Sequence, residues 1–120
     1  MGWEAVLKQP IQLTFRNVPE SMALKKLILE EAEDLETFYD RITHCRVVVE
    51  SPHQKHKKGN LYHVAIHLTI PGKTLVVTRN PDAHFSHKDC YLAIREAFHE
   101  IRRQLQDFIR IQREPVKMIY

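Results

Sequence analysis

The order of hydrophobic periodicities along this 120-residue chain predicts an α+β fold, a two-layer sandwich of order β-α-β-β-β-α. Two observations carry the prediction. Four short segments alternate apolar and polar side chains or are rich in β-branched residues, as strands are, while two longer ones repeat apolar residues every three or four positions. Each strand then has one apolar face and each helix one apolar stripe. All are buried at once if both helices lie on one face of a four-stranded, mostly antiparallel sheet.

The first strand is Ile11-Gln-Leu-Thr-Phe-Arg16, with Ile11, Leu13 and Phe15 inward and Gln12, Thr14 and Arg16 outward. Asn17-Val-Pro-Glu-Ser21 is a turn that leaves Ser21 or Glu20 to start a helix. Leu24, Leu27, Ile28, Leu35, Phe38, Tyr39 and Ile42 recur at helical spacing, which places an amphipathic helix over residues 22 to about 41. Arg46-Val-Val-Val-Glu50 is the second strand, stopped by Ser51-Pro52, and the basic segment up to Gly59-Asn60 is a loop. Leu61 to Ile70 alternates again, with His63, Ala65, His67 and Thr69 on its polar side. Pro71-Gly72 then turns the chain into a fourth strand, Lys73 to Arg79. A loop over 80–86 leads to the last helix, 89–113, which Glu114-Pro115 ends because the residue before proline is pushed out of the α region.

Length and composition bound the function. A chain of this size is expected to be one domain, with residues 1–10 as a leader, 11–113 as the folded core and 114–120 as a tail. The 43% hydrophobic content suits a packed core, and no apolar run is long enough to span a bilayer. The start, Met-Gly-Trp-Glu-Ala-Val, has neither a signal-peptide pattern nor the hydroxyl residue of a myristoylation site, so a soluble cytoplasmic protein is expected. Cys45 and Cys90 form no CxxC pair and read as reduced, buried or half-buried thiols.

Catalysis finds little support. The chain holds no GxSxG, no HExxH and only three glycines, so a tight phosphate cradle is not expected. His63 and His67 share a strand face but lie about 13 Å apart along it, too far to chelate one ion. His84-x-x-His87-x-x-Cys90 lacks a fourth ligand. No catalytic residue, metal or cofactor is therefore assigned.

The charge pattern is more informative than the net charge of +3. In the last helix Tyr91, Ile94, Phe98, Ile101, Leu105 and Phe108 gather on one side. Arg95, Arg102, Arg103, Arg110 and Arg113 gather on a second, with Asp89, Glu96, Glu100 and Asp107 on a third. A row of arginines over roughly 35 Å of helix suits a phosphate backbone, since each guanidinium can displace condensed counterions and fork onto a phosphate. The same charges are also spaced for pairing within the helix, Glu100 with Arg103 and Asp107 with Arg103 or Arg110. Lys55, Lys57 and Lys58 add a cationic loop, and Arg16, Arg46 and Arg79 point to solvent from strands.

Several segments together resemble the ribosome hibernation-promoting factor family, also called ribosome-associated inhibitor or ribosome-associated factor Y proteins, in its short form. Phe15-Arg16-Asn17 resembles the turn after the family's first strand. Ala23-Leu24-Lys25, Leu35-Glu36 and Phe38-Tyr39-Asp40-Arg41-Ile42 resemble its first helix and the exit from it. Lys57-Lys58-Gly59-Asn60-Leu61-Tyr62, Leu68-Thr69-Ile70-Pro71-Gly72 and Leu75-Val76-Val77 resemble its central hairpin. Tyr91-Leu-Ala-Ile94 and Arg102-Arg103-Gln104-Leu105 resemble its last helix.

The resemblance spans roughly residues 11–113 and implies a fold like double-stranded-RNA-binding domains. It also implies binding to the small ribosomal subunit, on its 16S-type rRNA in the decoding region, where the protein would occlude the mRNA and tRNA sites under stress and catalyse nothing. Arg16, Lys25, Lys57, Lys58, Arg102 and Arg103 match the family's basic pattern. With Lys55, Arg79, Arg95, Arg110 and Arg113 from the charge pattern, they make up the expected rRNA-binding set. Glu31 and Asp34 stand where family members often carry lysines, Phe15 stands where glycine is usual, and about ten residues precede the first strand. A self-dimerisation domain is not expected, so the resemblance implies sealing of single ribosomes. Membrane and small-molecule partners are not expected. The alternatives are a general double-stranded RNA-binding module, or a protein-interaction domain using the acidic patch from Glu30 to Glu36.

Overall fold

β1 (Ile11–Arg16) and β2 (His44–Glu50) run parallel, because the connection between them is a helix, α1 (Met22–Phe38), that carries the chain back along the sheet. β3 (His63–Ile70) pairs antiparallel with β2, and β4 (Lys73–Arg79) antiparallel with β3, giving a mixed sheet of order β1-β2-β3-β4. α2 (Cys90–Arg113) closes the fold. The computed structural model describes residues 11–51, 62–79 and 90–113 and, at Arg79, the backbone alone. The expected leader 1–10, the lysine loop 55–58, the loop 80–86 with His84 and His87, and the tail 114–120 lie outside the described residues.

The period of two along each strand separates the sheet's faces. Val47, Val49, Val64, Ile66, Leu68, Ile70, Leu75 and Val77 are all buried on the helix side, and Ile11, Leu13 and Phe15 pack against them from β1. The opposite face carries Gln12, Arg46 and His67 in one register row and Arg16, Glu50 and His63 in another. α2 lies over β3 and β4 and against α1. Its underside is Ala93, Ile94, Ala97, Phe98, Ile101 and Leu105, and α1 contributes Leu24, Leu27, Ile28, Ala32 and Leu35 to the same core. Burying a leucine- or phenylalanine-sized side chain stabilises by about 1.5–3 kcal/mol, so this stripe anchors α2 and fixes which way its other sides face.

Caps and turns follow from local chemistry. The Ser21 hydroxyl accepts a hydrogen bond from the Leu24 amide at 3.0 Å, satisfying one of the free donors of the first turn of α1. Asn17 adopts a positive φ of 59°, which asparagine tolerates better than most residues. The β3–β4 hairpin turns on Pro71-Gly72, and Gly72 has φ of 83°. A Cβ there would meet nothing within 4 Å, so the backbone conformation, not crowding, selects glycine.

Two expectations are corrected in detail. α1 ends at Phe38 rather than near 41: Tyr39 is already extended, with φ −145° and ψ 114°, while its amide still donates to the Leu35 carbonyl at 2.9 Å. Tyr39 and Ile42 keep helical spacing because both are drawn into the core from the turn that follows, Ile42 being 3% exposed. Tyr91 leaves the apolar stripe of α2. It is 40% exposed and lines a groove with Val18, Pro19 and Leu24, and Ala93 and Ala97 cover the underside instead.

Candidate nucleic-acid interface

All five expected arginines of α2, Arg95, Arg102, Arg103, Arg110 and Arg113, are exposed on the helix side that the core stripe leaves free. Their surroundings differ. Arg103 grips both carboxylate oxygens of Glu100 at 2.6 and 2.7 Å, and Arg110 reaches Asp107 at 3.1 Å. The hydrogen bond to Glu100 raises the Arg103 pKa further above its already high ordinary value. Both pairs span three residues of one helix turn, the local pairing that their spacing allows, and both stay in solvent, where such contacts are worth little and exchange readily.

Arg95 and Arg102 face α1 instead. With His99 they share a groove with Glu31 and Asp34. Glu31 is held above the usual carboxylate range mainly by burial and by the neighbouring Asp34 charge, while Arg95 and Arg102 pull it back only partly. The Arg102 guanidinium lies over the Phe38 ring, 4.8 Å from its centroid. Arg113, in the last turn of α2, lines a second groove with Phe38, Tyr39 and Arg41. Among the described residues, Arg41, Arg46, Arg95, Arg102 and Arg113 form no ion pair.

The remaining expected contacts do not all converge. Lys25, on α1, pairs with Glu20 at 2.9 Å. Arg16 lies on the sheet face away from the helices, 3.8 Å from Glu50, on the same face as Arg46 and not beside the α2 row. Lys55, Lys57 and Lys58 lie outside the described residues, as does the side chain of Arg79. Three residues outside the expected rRNA-binding set also stand at this surface: Arg41, Phe38 and Lys73. Lys73 sits over Phe108 at 5.7 Å. Helical spacing that runs on to residue 41 conceals the first two, since it places Arg41 on the helix and Phe38 in its apolar stripe.

The arrangement offers exposed cations and two cation-covered aromatic rings, which suits a phosphate-bearing polymer. Among the described residues no three His, Cys, Asp or Glu side chains gather to hold a metal, and no helix is long and apolar enough to cross a membrane. Cys45 is buried, and burial, with a smaller push from Glu36, drives its thiol pKa up to about 12, so it stays protonated at neutral pH.

Comparison with known proteins places this geometry. A family model described as Sigma 54 modulation protein / S30EA ribosomal protein matches residues 11–112. A ribosomal subunit interface protein from Coxiella burnetii is similar in structure with a TM-score of 0.63 and 20% identity, over 82% of this chain and 94% of that one. The N-terminal domain of Protein Y from Thermus thermophilus is similar with a TM-score of 0.61 and 22% identity, over 81% of this chain and 94% of that one. At these identities the two structures establish the shared fold. No curated protein matches the sequence.

Proposed function

The chain belongs to the Sigma 54 modulation protein / S30EA ribosomal protein family, and from that premise we propose a non-catalytic, ribosome-associated regulator of translation that acts in the cytoplasm. It binds the rRNA of the small ribosomal subunit in the decoding region and occludes the mRNA and tRNA sites, idling the ribosome under stress. One folded domain, residues 11–113, is sufficient for this. The observation that carries the reading is the exposed arginine row of α2 on a scaffold of this family. The same row is the part of the expected rRNA-binding set that the fold gathers on one side of the molecule.

The mechanism is electrostatic docking. Exposed guanidinium groups replace the counterions condensed on rRNA phosphates, and the sandwich behind them supplies bulk that blocks the channel. Arg103 and Arg110 reach phosphate by exchanging their own carboxylates, and Arg95, Arg102 and Arg113 need no such exchange. Lys55, Lys57, Lys58 and Arg79 are proposed to extend the contact beyond α2. Glu31 and Asp34 keep the middle of α1 off the phosphates, because two carboxylates facing an anionic surface repel it.

A sucrose-gradient profile of stationary-phase extract tests the proposal: the protein travels with ribosomal particles at low salt and leaves them as salt rises. A protein that stays at the top of the gradient contradicts it. Equal affinity for a plain RNA duplex and for isolated small subunits would instead favour a general double-stranded RNA-binding module. Salt-insensitive binding to a protein would favour docking through Glu30 to Glu36.

A further inference from the structure

We propose that the seam between α1 and α2, toward their carboxyl-terminal ends, takes an unpaired segment of single-stranded RNA, with one base stacked on the Arg102 guanidinium and a phosphate further along the strand held by Arg41 and Arg113. The inference rests on the rRNA-binding reading above and deepens it by naming the form of RNA this end of the molecule selects.

The geometry begins with Arg102. Its guanidinium carbon lies over the Phe38 ring, 4.8 Å from the centroid, and the residue is exposed to solvent. A guanidinium plane backed by an aromatic ring is a stacking platform for a base, which is how unpaired RNA bases are commonly held. A paired base inside a duplex has no free face to offer it.

Charge then sets the direction in which the strand leaves. Arg102 lines one groove with Glu31 and Asp34, which repel a phosphate. The Phe38 ring under Arg102 lines the second groove with Arg41 and Arg113, neither paired with a carboxylate among the described residues. The phosphate therefore lies toward Arg41 and Arg113.

A plainer explanation is that these arginines only offset the helix dipoles. Each helix end carries a partial charge of about −0.5, and Asp40 adds one carboxylate to the groove. Arg41 and Arg113 balance that charge, and Arg102, over the Phe38 ring that lines the groove, adds a third guanidinium beside it. The dipoles do not explain why Arg102, well before the end of α2, should lie over a ring. Thr37 and Gln112, on opposite walls, offer hydrogen-bonding groups to a base edge.

The test uses the full chain and an oligoadenylate carrying one internal 2-aminopurine, whose fluorescence falls when it stacks. It is titrated as a single strand and as a duplex with oligouridylate at fixed salt. The protein is expected to quench the single strand further and to leave unchanged the duplex signal, which is already low because the probe is stacked between paired bases. Arg102→Lys keeps the charge but removes the plane, and should weaken binding of the single strand about tenfold and abolish most of the quench. Arg41→Gln with Arg113→Gln should weaken binding and flatten its salt dependence while the quench at saturation persists. Unchanged melting temperatures confirm that the variants fold, and Phe38→Leu should reproduce the effect of Arg102→Lys. Binding without quenching, or an Arg102→Lys variant that behaves as wild type, overturns the nucleotide site. Co-sedimentation with ribosomes in the same buffer separates the two ideas. A protein that pellets with ribosomes yet leaves the probe bright overturns this inference alone, and one that quenches the probe but never pellets overturns the ribosome reading.

Discussion

Arg102 and Arg103 are neighbours in the chain, yet α2 places them in opposite settings. Arg103 turns outward and is held by Glu100 of its own helix, as Arg110 is by Asp107. Arg102 turns toward α1 and lies over Phe38, and Arg113, about three turns further along the same side of the helix, lines the groove beside Arg41. A carboxylate three residues before an arginine supplies a partner as soon as the helix forms; an arginine without one meets whatever the neighbouring helix presents. The number of cations on α2 therefore says less about binding than which of them α2 itself has already engaged.

The largest effect comes from removing the anchor both settings share. Ile101 is fully buried beneath α2, and Ile101→Ala should cost about 2–5 kcal/mol of stability in a denaturant titration. Next, Arg102→Ala with Arg113→Ala should weaken ribosome co-sedimentation about tenfold or more at fixed salt. Arg103→Ala with Arg110→Ala should cost only about two- to threefold, because that pair gives up its own carboxylates to bind. Equal losses from the two double variants would erase the distinction between the two settings.

Smaller changes sharpen it. Glu31→Gln with Asp34→Asn removes the carboxylates beside Arg95 and Arg102 and should tighten ribosome binding about two- to threefold. The pKa of Glu31 is raised in the folded protein, so the native state holds this proton more firmly than the unfolded chain. Its contribution to stability therefore rises as pH falls toward its ordinary value, and Glu31→Gln should remove that acid-side gain in melting temperature. Cys45 follows the same sign at higher pH. Its thiol is pushed from 9.0 to about 12, so above about pH 9 the unfolded chain loses a proton that the folded one keeps. Stability then falls by at most about 1.4 kcal/mol per pH unit from this group, and Cys45→Ala should flatten that part of the profile.

Much of this was legible in the sequence, for identifiable reasons. Strict alternation gave β1 and β3 their faces, Pro71-Gly72 gave the hairpin, and the spacing of three between Glu100 and Arg103 gave their pairing, since each depends on residues close in the chain. The position of Arg16 followed too: it alternates away from Ile11, Leu13 and Phe15, and helices cover the apolar side, so it lies across the sheet from α2. The end of α1 was not legible, because Tyr39 and Ile42 are apolar on account of the core they enter from a turn. Nor was the placement of Arg102 over Phe38, or the groove that Arg41 shares with Arg113. Those juxtapositions depend on how far along each other two helices lie, and the sheet between them in sequence sets that offset.

The central claim is that the exposed arginine face of α2 binds the ribosome through phosphates. The most direct test is the salt dependence of binding to isolated small subunits, for the wild type and for Arg102→Ala with Arg113→Ala. The account predicts a linear fall of log affinity with log salt, shallower in the variant by about 0.7–0.9 for each phosphate it no longer neutralises. Parallel lines for the two proteins, or a wild-type affinity indifferent to salt, would contradict it.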